Sequence, residues 1–184
     1  MFKVEEVKKS FKNKEVLKGV SFSIGEGDKV ALLGNNGAGK STLLKIIAGQ
    51  LAANSGKIST SLNYQTEIGM MPQGDILIDD LTVSDLVYLK SKMNQIDSIN
   101  VDEFLDIFLD EPTTGMDLES VDNFWKLLEK QNFTSVVVTH DFNQIDHFFT
   151  KVLILKNGRI AAHESVEEIH KAGKTIEQFY REKV

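Results

Sequence analysis

The sequence predicts an α/β protein: a largely parallel sheet flanked by helices, preceded by an N-terminal antiparallel β-layer. Three observations carry that expectation. The short apolar runs KVALLG and TSVVVTH suit buried parallel strands. Segments with helical apolar spacing follow both of them, as in KSTLLKIIAG with Leu43, Leu44, Ile46 and Ile47. The opening segments FKVEEV and VSFSI instead alternate β-branched and aromatic residues with polar ones across the polar stretch KNKE, as antiparallel strands do. The 184 residues, 41% hydrophobic and 26% charged, are enough for a single domain spanning 1–184 with its own core, and they exclude disordered, collagen-like and coiled-coil classes.

The remaining elements follow in order. Thr82 to Ile96 repeats apolar residues at Leu86, Leu89, Met93 and Ile96 behind a Thr82 cap, which predicts a packing helix. Leu118 to Gln131 predicts another through Val121, Trp125 and Leu128, and DFNQIDHFF a short one. VLILK and RIAAH flank Asn157-Gly158, a strong hairpin signal, and Ser165 with Glu168 forms a capping-box pattern expected to open the last helix. The chain carries 21 Lys and Arg against 27 Asp and Glu, a net charge of −6, with the basic residues scattered, so no nucleic-acid partner is expected. The lack of cysteine excludes disulfides, thiol catalysis and zinc–thiolate sites. The N-terminus has no apolar signal core and no run reaches the ~18 apolar residues of a membrane span, so a cytoplasmic chain is expected.

Gly34-Asn35-Asn36-Gly37-Ala38-Gly39-Lys40-Ser41 satisfies G-x-x-x-x-G-K-[ST], with Thr42 next, and it stands between a strand and a helix as a phosphate loop must. Its glycines let backbone N–H groups curl around phosphate oxygens, and the helix N-terminus adds partial positive charge. Lys40 is placed for the outer phosphates and Ser41 for Mg²⁺. Asp110, ending an apolar run, suits a carboxylate that holds Mg²⁺ through water, and Glu111 suits the base for an attacking water. Read alone, the same pair is a strand end stopped by Pro112. His147, His163 and His170 lack metal-ligand spacing and read as surface or packing residues.

Over nearly its whole length the chain resembles the ATP-binding cassette ATPases, the nucleotide-binding subunits of ABC transporters. GNNGAGKST is similar to that family's Walker A loop, and Gln73 in MMPQGD, after an apolar strand, to its Q-loop glutamine. IFLDEPTTGMD resembles Walker B running into the D-loop, VVVTHD carries the switch histidine as His140, and KVLILKNGRI resembles the closing hairpin. The resemblance implies a P-loop NTPase core that binds ATP and Mg²⁺. In it Glu111, His140 and Gln73 serve catalysis, Gly34 to Thr42 cradle the nucleotide, and Ser41, Gln73 and Asp110 attend the metal. Phe11 in KKSFKNKEV matches the family's adenine-stacking aromatic and reads equally as a core residue of the β-layer. Asp117 fits both the D-loop and the N-cap of the helix opening at Leu118. Implied partners are a transmembrane transporter subunit and a second copy or second nucleotide-binding subunit, which place the chain at the inner face of the cell membrane.

The chain departs from the family between Gln73 and Asp110, which stand only 37 positions apart and enclose no S-G-G-Q signature string. VDEFLDIF has helical apolar spacing yet runs directly into LDEP, which needs a strand, and Asp106 stands where the family's strand has an apolar residue. These features imply an internal deletion with its junction near Phe108-Leu109, leaving residues 74–108 as a shortened helical subdomain. The expected function is ATP-driven transport through a membrane partner with impaired hydrolysis; the alternative is a non-hydrolysing nucleotide-binding or regulatory remnant. A small-molecule kinase fits less well, because the stretch from Gly74 to Ile107 has Lys90 and Lys92 but no arginine for a basic lid.

Overall fold

The computed structural model describes residues 2–63, 68–71, 106–129 and 133–184. The helix expected at Thr82–Ile96, the residue Gln73 and most of the shortened segment 74–108 lie outside them. The N-terminal layer is a three-stranded antiparallel sheet in the order β2-β1-β4, formed by β1 (Phe2–Phe11), β2 (Lys14–Ile24) and β4 (Ser55–Thr60). The expected strands are thus longer than FKVEEV and VSFSI, and only Lys12 and Asn13 turn between them. The strand β4 was not expected from SGKIST, whose single large apolar side chain, Ile58, leaves pairing with β1 to decide its conformation.

The second sheet is six-stranded, with the order β5-β6-β7-β3-β8-β9. It comprises β3 (Lys29–Leu33), β5 (Ile68–Met71), β6 (Asp106–Asp110), β7 (Thr134–Val138), β8 (Lys151–Lys156) and β9 (Arg159–Ser165). All its pairs are parallel except the β8–β9 hairpin, where Asn157 (φ 51°) and Gly158 (φ 79°) supply the positive-φ turn that the sequence predicted. The collision of helical and strand patterns near residue 106 resolves as strand: Asp106 pairs with Ile68 and Thr134, and the register runs on without a bulge to Asp110.

Period-two alternation divides the core. Val30 and Leu32 of β3, Phe108 of β6, Val136 and Val138 of β7, and Leu153 and Leu155 of β8 face the antiparallel layer. With them packs helix α1 (Lys40–Ile47), and Phe108 meets Phe2 edge-on at 5.4 Å. The alternate residues Ala31, Leu33, Ile107, Leu109, Val137, Val152 and Ile154 face a second core. That core is covered by α2 (Leu118–Glu129), α3 (Phe142–Phe148), α4 (Val166–Lys171) and α5 (Ile176–Lys183). Burial on both faces explains why these strands read as continuous apolar runs.

Two helix starts differ from expectation. Ser165 caps α4 by accepting the Glu168 N–H at 3.1 Å, but the Ser165 N–H goes to the Glu164 carboxylate, so the box closes on one side only. This helix is also not the last. A full capping box, Thr175 with Gln178, opens α5, whose Ile176 is buried against the second core.

Candidate functional site

Parallel pairing brings the motifs together. β3, β7 and β6 are neighbours, with Leu32 in register with Val138 and Val138 with Asp110, so the phosphate loop, His140 and the Asp110-Glu111 pair all leave the C-terminal ends of adjacent strands. Crevices at such strand ends are where open α/β sheets place ligands.

The loop depends on its glycines. At Gly34 (φ 153°) a Cβ would collide with the carbonyl of Leu155, and at Gly39 (φ 106°) it would press on Leu17 and Val16. The Asn35 carbonyl accepts the Ala38 N–H at 3.1 Å and closes the turn, after which Lys40 opens α1. Lys40 is almost fully buried, and its ammonium donates to the carbonyls of Gly34 at 2.6 Å and Asn35 at 3.3 Å. Burial pushes its pKa down, while the charges of Glu111 and Asp110 pull it back up. A polyphosphate offers that ammonium better partners than two carbonyls.

Asp110 ends β6 with 2% of its surface exposed, and its Oδ1 is buried with no hydrogen-bond partner among the described residues. An orphaned carboxylate oxygen beside a phosphate loop fits the water shell of Mg²⁺, a hard cation that keeps its waters, and Ser41 in the first turn of α1 supplies the matching hydroxyl position. Glu111 has φ 49°; its N–H donates to the Val138 carbonyl at 2.9 Å and its own carbonyl accepts the Thr114 N–H at 3.2 Å. This anchored backbone presents the side chain past the strand ends, where Glu111 Oε1 lies 3.2 Å from His140 Nε2. His140 stays half-exposed at the mouth of the site.

Phe11 does not sit in the core: it is 46% exposed, and the ammonium of Lys9 lies 5.2 Å from its ring centroid. The Asp117 carbonyl accepts the Val121 N–H at 3.0 Å, the backbone bond of an N-cap residue for α2. His170 Nε2 lies 2.9 Å from Asp146 Oδ1 at the surface, and His163 packs edge-on to Phe22, a surface and a packing position. No cluster of three metal-ligating side chains occurs among the described residues, nor any helix long and apolar enough to cross a membrane. One contact was not foreseen: the Tyr180 hydroxyl of α5 donates to Asn35 Oδ1 at 3.0 Å, across 145 positions of sequence that no local pattern bridges.

Comparison with known proteins agrees with this geometry. The ABC transporter family profile matches residues 17–145. An uncharacterised ABC transporter ATP-binding protein of Methanocaldococcus jannaschii is 31% identical over 208 residues, covering 91% of this chain and 78% of the relative. The petrobactin import ATP-binding protein of Bacillus subtilis is 27% identical over 234 residues, covering 98% and 92%. A solved ATP-binding subunit of an ABC transporter superposes with a TM-score of 0.81 at 20% identity, covering 99% of this chain and 98% of that one, a likeness of fold. From the strand-end convergence of its motifs and the match over residues 17–145, the chain belongs to the ABC transporter family, as an ATP-binding subunit of the P-loop ATPase type.

Proposed function

We propose that this chain binds Mg·ATP along Gly34 to Thr42 and passes the energy of nucleotide binding to a transmembrane transporter subunit at the inner face of the cell membrane. The observation that carries this reading is the convergence of Lys40, Asp110, Glu111 and His140 at the ends of three adjacent parallel strands. Lys40 would draw in the outer phosphates, the Ser41 hydroxyl and Asp110 carboxylate would hold the metal, and Glu111 would take the proton of an attacking water while His140 would face the terminal phosphate. When bound, Mg²⁺ supplies charge neutralisation between the outer phosphates. Resemblance to the family assigns Gln73 to the metal, and the exposed ring of Phe11 would stack on adenine once Lys9 yields its face.

A second copy, or a second nucleotide-binding subunit, faces the phosphate loop from outside. The family meets that face with a signature motif, and this chain has no S-G-G-Q string. Support for an internal deletion comes also from the match lengths: 208 and 234 residues align against a chain of 184, so both relatives carry residues without a counterpart here. The sheet is compatible with such a loss, because a crossover between parallel strands such as β5 and β6 needs only about a dozen residues. Turnover suffers more than binding, since the γ-phosphate lacks its opposing clamp. Neither arginine replaces it: Arg181 is engaged by Glu177 on its own helix at 2.6 Å, and Arg159 opens β9 beyond the hairpin. Calorimetric titration with Mg·ATP beside a phosphate-release assay tests this reading. Saturable binding with slow release is expected; no binding would overturn it, and binding with no release at all would make the chain a non-hydrolysing regulatory remnant.

A further inference from the structure

Asn35 carries three separate duties. Its carbonyl closes the phosphate-loop turn onto the Ala38 N–H and also accepts the Lys40 ammonium, while its side-chain oxygen takes the Tyr180 hydroxyl. The ring of Tyr180 meanwhile rests against Phe142, with centroids 5.4 Å apart and planes inclined by 50°. Phe142 is the first residue of α3, two positions beyond His140. One side chain therefore touches both the first turn of the phosphate loop and the helix that follows the histidine. Its own placement is firm: α5 opens with a capping box at Thr175, buries Ile176, and lays Phe179 and Tyr180 on the second core.

We propose that Tyr180 is a positioning residue of the nucleotide site, fixing the Asn35 corner of the phosphate loop to α3 and α5. This rests on the reading of Gly34 to Thr42 as the ATP cradle. Without nucleotide, the Lys40 ammonium itself braces the loop by holding the carbonyls of Gly34 and Asn35. A nucleoside triphosphate takes that ammonium for its own phosphates, and the brace is lost at the moment the loop must hold its shape. Tyr180 is a second brace that the nucleotide does not remove, because it grips the Asn35 side chain and engages none of the loop's N–H groups. A loop held in its binding shape loses less freedom on binding, and affinity rises accordingly.

Tyr180→Phe tests this while keeping the ring on Phe142 and α5 docked. Loss of one hydrogen bond predicts Mg·ATP affinity about three- to ten-fold weaker. Asn35→Ala is expected to lose a similar factor, and the double variant no more than the weaker single, since both changes cut the same bond. Hydrogen exchange on the nucleotide-free protein reads the brace independently of binding: amides of residues 34–42 exchange faster in Tyr180→Phe, while those of residues 176–183 keep the wild-type rate. Unchanged exchange at 34–42, additive losses in the double variant, or unchanged affinity despite faster exchange would each overturn the proposal. Equal acceleration across 176–183 would do so too, by showing that the helix had merely come loose. If the wild type fails to bind Mg·ATP, the ATP-cradle reading fails, and the exchange comparison still decides whether Tyr180 holds the loop.

Discussion

Glu111 Oε1 lies 3.2 Å from His140 Nε2, although the two residues are 29 positions apart in the chain. The distance is set by the backbone. Asp110 and Val138 are paired residues of β6 and β7, and the Glu111 N–H extends that pairing by one more bond to the Val138 carbonyl. Glu111 adopts φ 49° to make its turn, a left-handed conformation that costs a non-glycine residue roughly 1–2 kcal/mol. The sheet holds it there, and the carboxylate and imidazole meet in front of the phosphate loop. The contact is between an acceptor and a ring whose proton placement decides its role, so it orients both groups before any substrate arrives.

Lys40→Ala is expected to weaken Mg·ATP binding about 10- to 100-fold, the range for losing a hydrogen bond to a charged partner of ~1.5–3 kcal/mol. The ammonium is nearly buried and donates to two loop carbonyls, an arrangement that holds it in place for a ligand. Calorimetry on the parent and the variant decides it; equal affinities would end the phosphate-loop assignment.

Much of this arrangement could be read from residues in their local order. KVALLG, TSVVVTH and VLILK became strands because they are buried on both faces, and Asn157-Gly158 made the hairpin because both residues tolerate positive φ. What escaped was tertiary. SGKIST has almost no apolar content and is a strand only through its pairing with β1. Helix α5 does carry a local signal in Thr175, Gln178 and the apolar set Ile176, Phe179 and Tyr180, but its eight residues give barely two turns of periodicity. The site residues were individually legible as motifs. Their adjacency, and the grip of Tyr180 on Asn35, follow from the sheet order and could not be found by spacing.

Trp125→Ala is expected to destabilise the fold by about 3–5 kcal/mol, through lost burial and the cavity left behind. The indole is 2% exposed and stands within 5.6 Å of the ring centroids of Phe124, Phe148 and Phe149, so α2 and α3 lose a shared anchor. Leu118→Ala, at 87% exposure on the first turn of the same helix, should stay within about 0.5 kcal/mol. Urea denaturation followed by circular dichroism compares them, since Trp125 is the chain's only tryptophan and its fluorescence is lost in the variant. A small loss at Trp125 would mean that this core is not packed as described.

His163 links stability to pH. Burial, followed by the nearby Lys151 charge, holds its pKa below the ordinary 6.5, while Asp28 and Glu164 act in the opposite sense. The unfolded chain therefore binds the proton more readily than the folded one. Its contribution to stability is complete above pH 6.5 and is lost as the pH falls through the folded-state value. His163→Gln should lose less stability than the parent between pH 7 and pH 5 in paired denaturation curves. Identical acid slopes would show that His163 titrates freely in the folded protein.

Glu111→Gln tests the proposal that the site lacks its opposing half. In a complete two-subunit sandwich, removing the base leaves nucleotide trapped between the partners, because the closed state forms but cannot discharge. Here Glu111 and His140 are in contact and the buried Asp110 Oδ1 has no hydrogen-bond partner among the described residues, yet the sequence has no S-G-G-Q string for the proposed opposing clamp. Loss of one transition-state donor alone can cost about 10²–10³ in rate, so the parent's phosphate release should already be slow. Glu111→Gln is then expected to change it by less than about three-fold and to leave the oligomeric state unaltered, because proton abstraction is not what limits an unclamped phosphate. Phosphate release and gel filtration in Mg·ATP measure the two effects on one preparation. Brisk release by the parent, abolished in the variant with a nucleotide-dependent dimer appearing, would mean that other residues of this chain close the site.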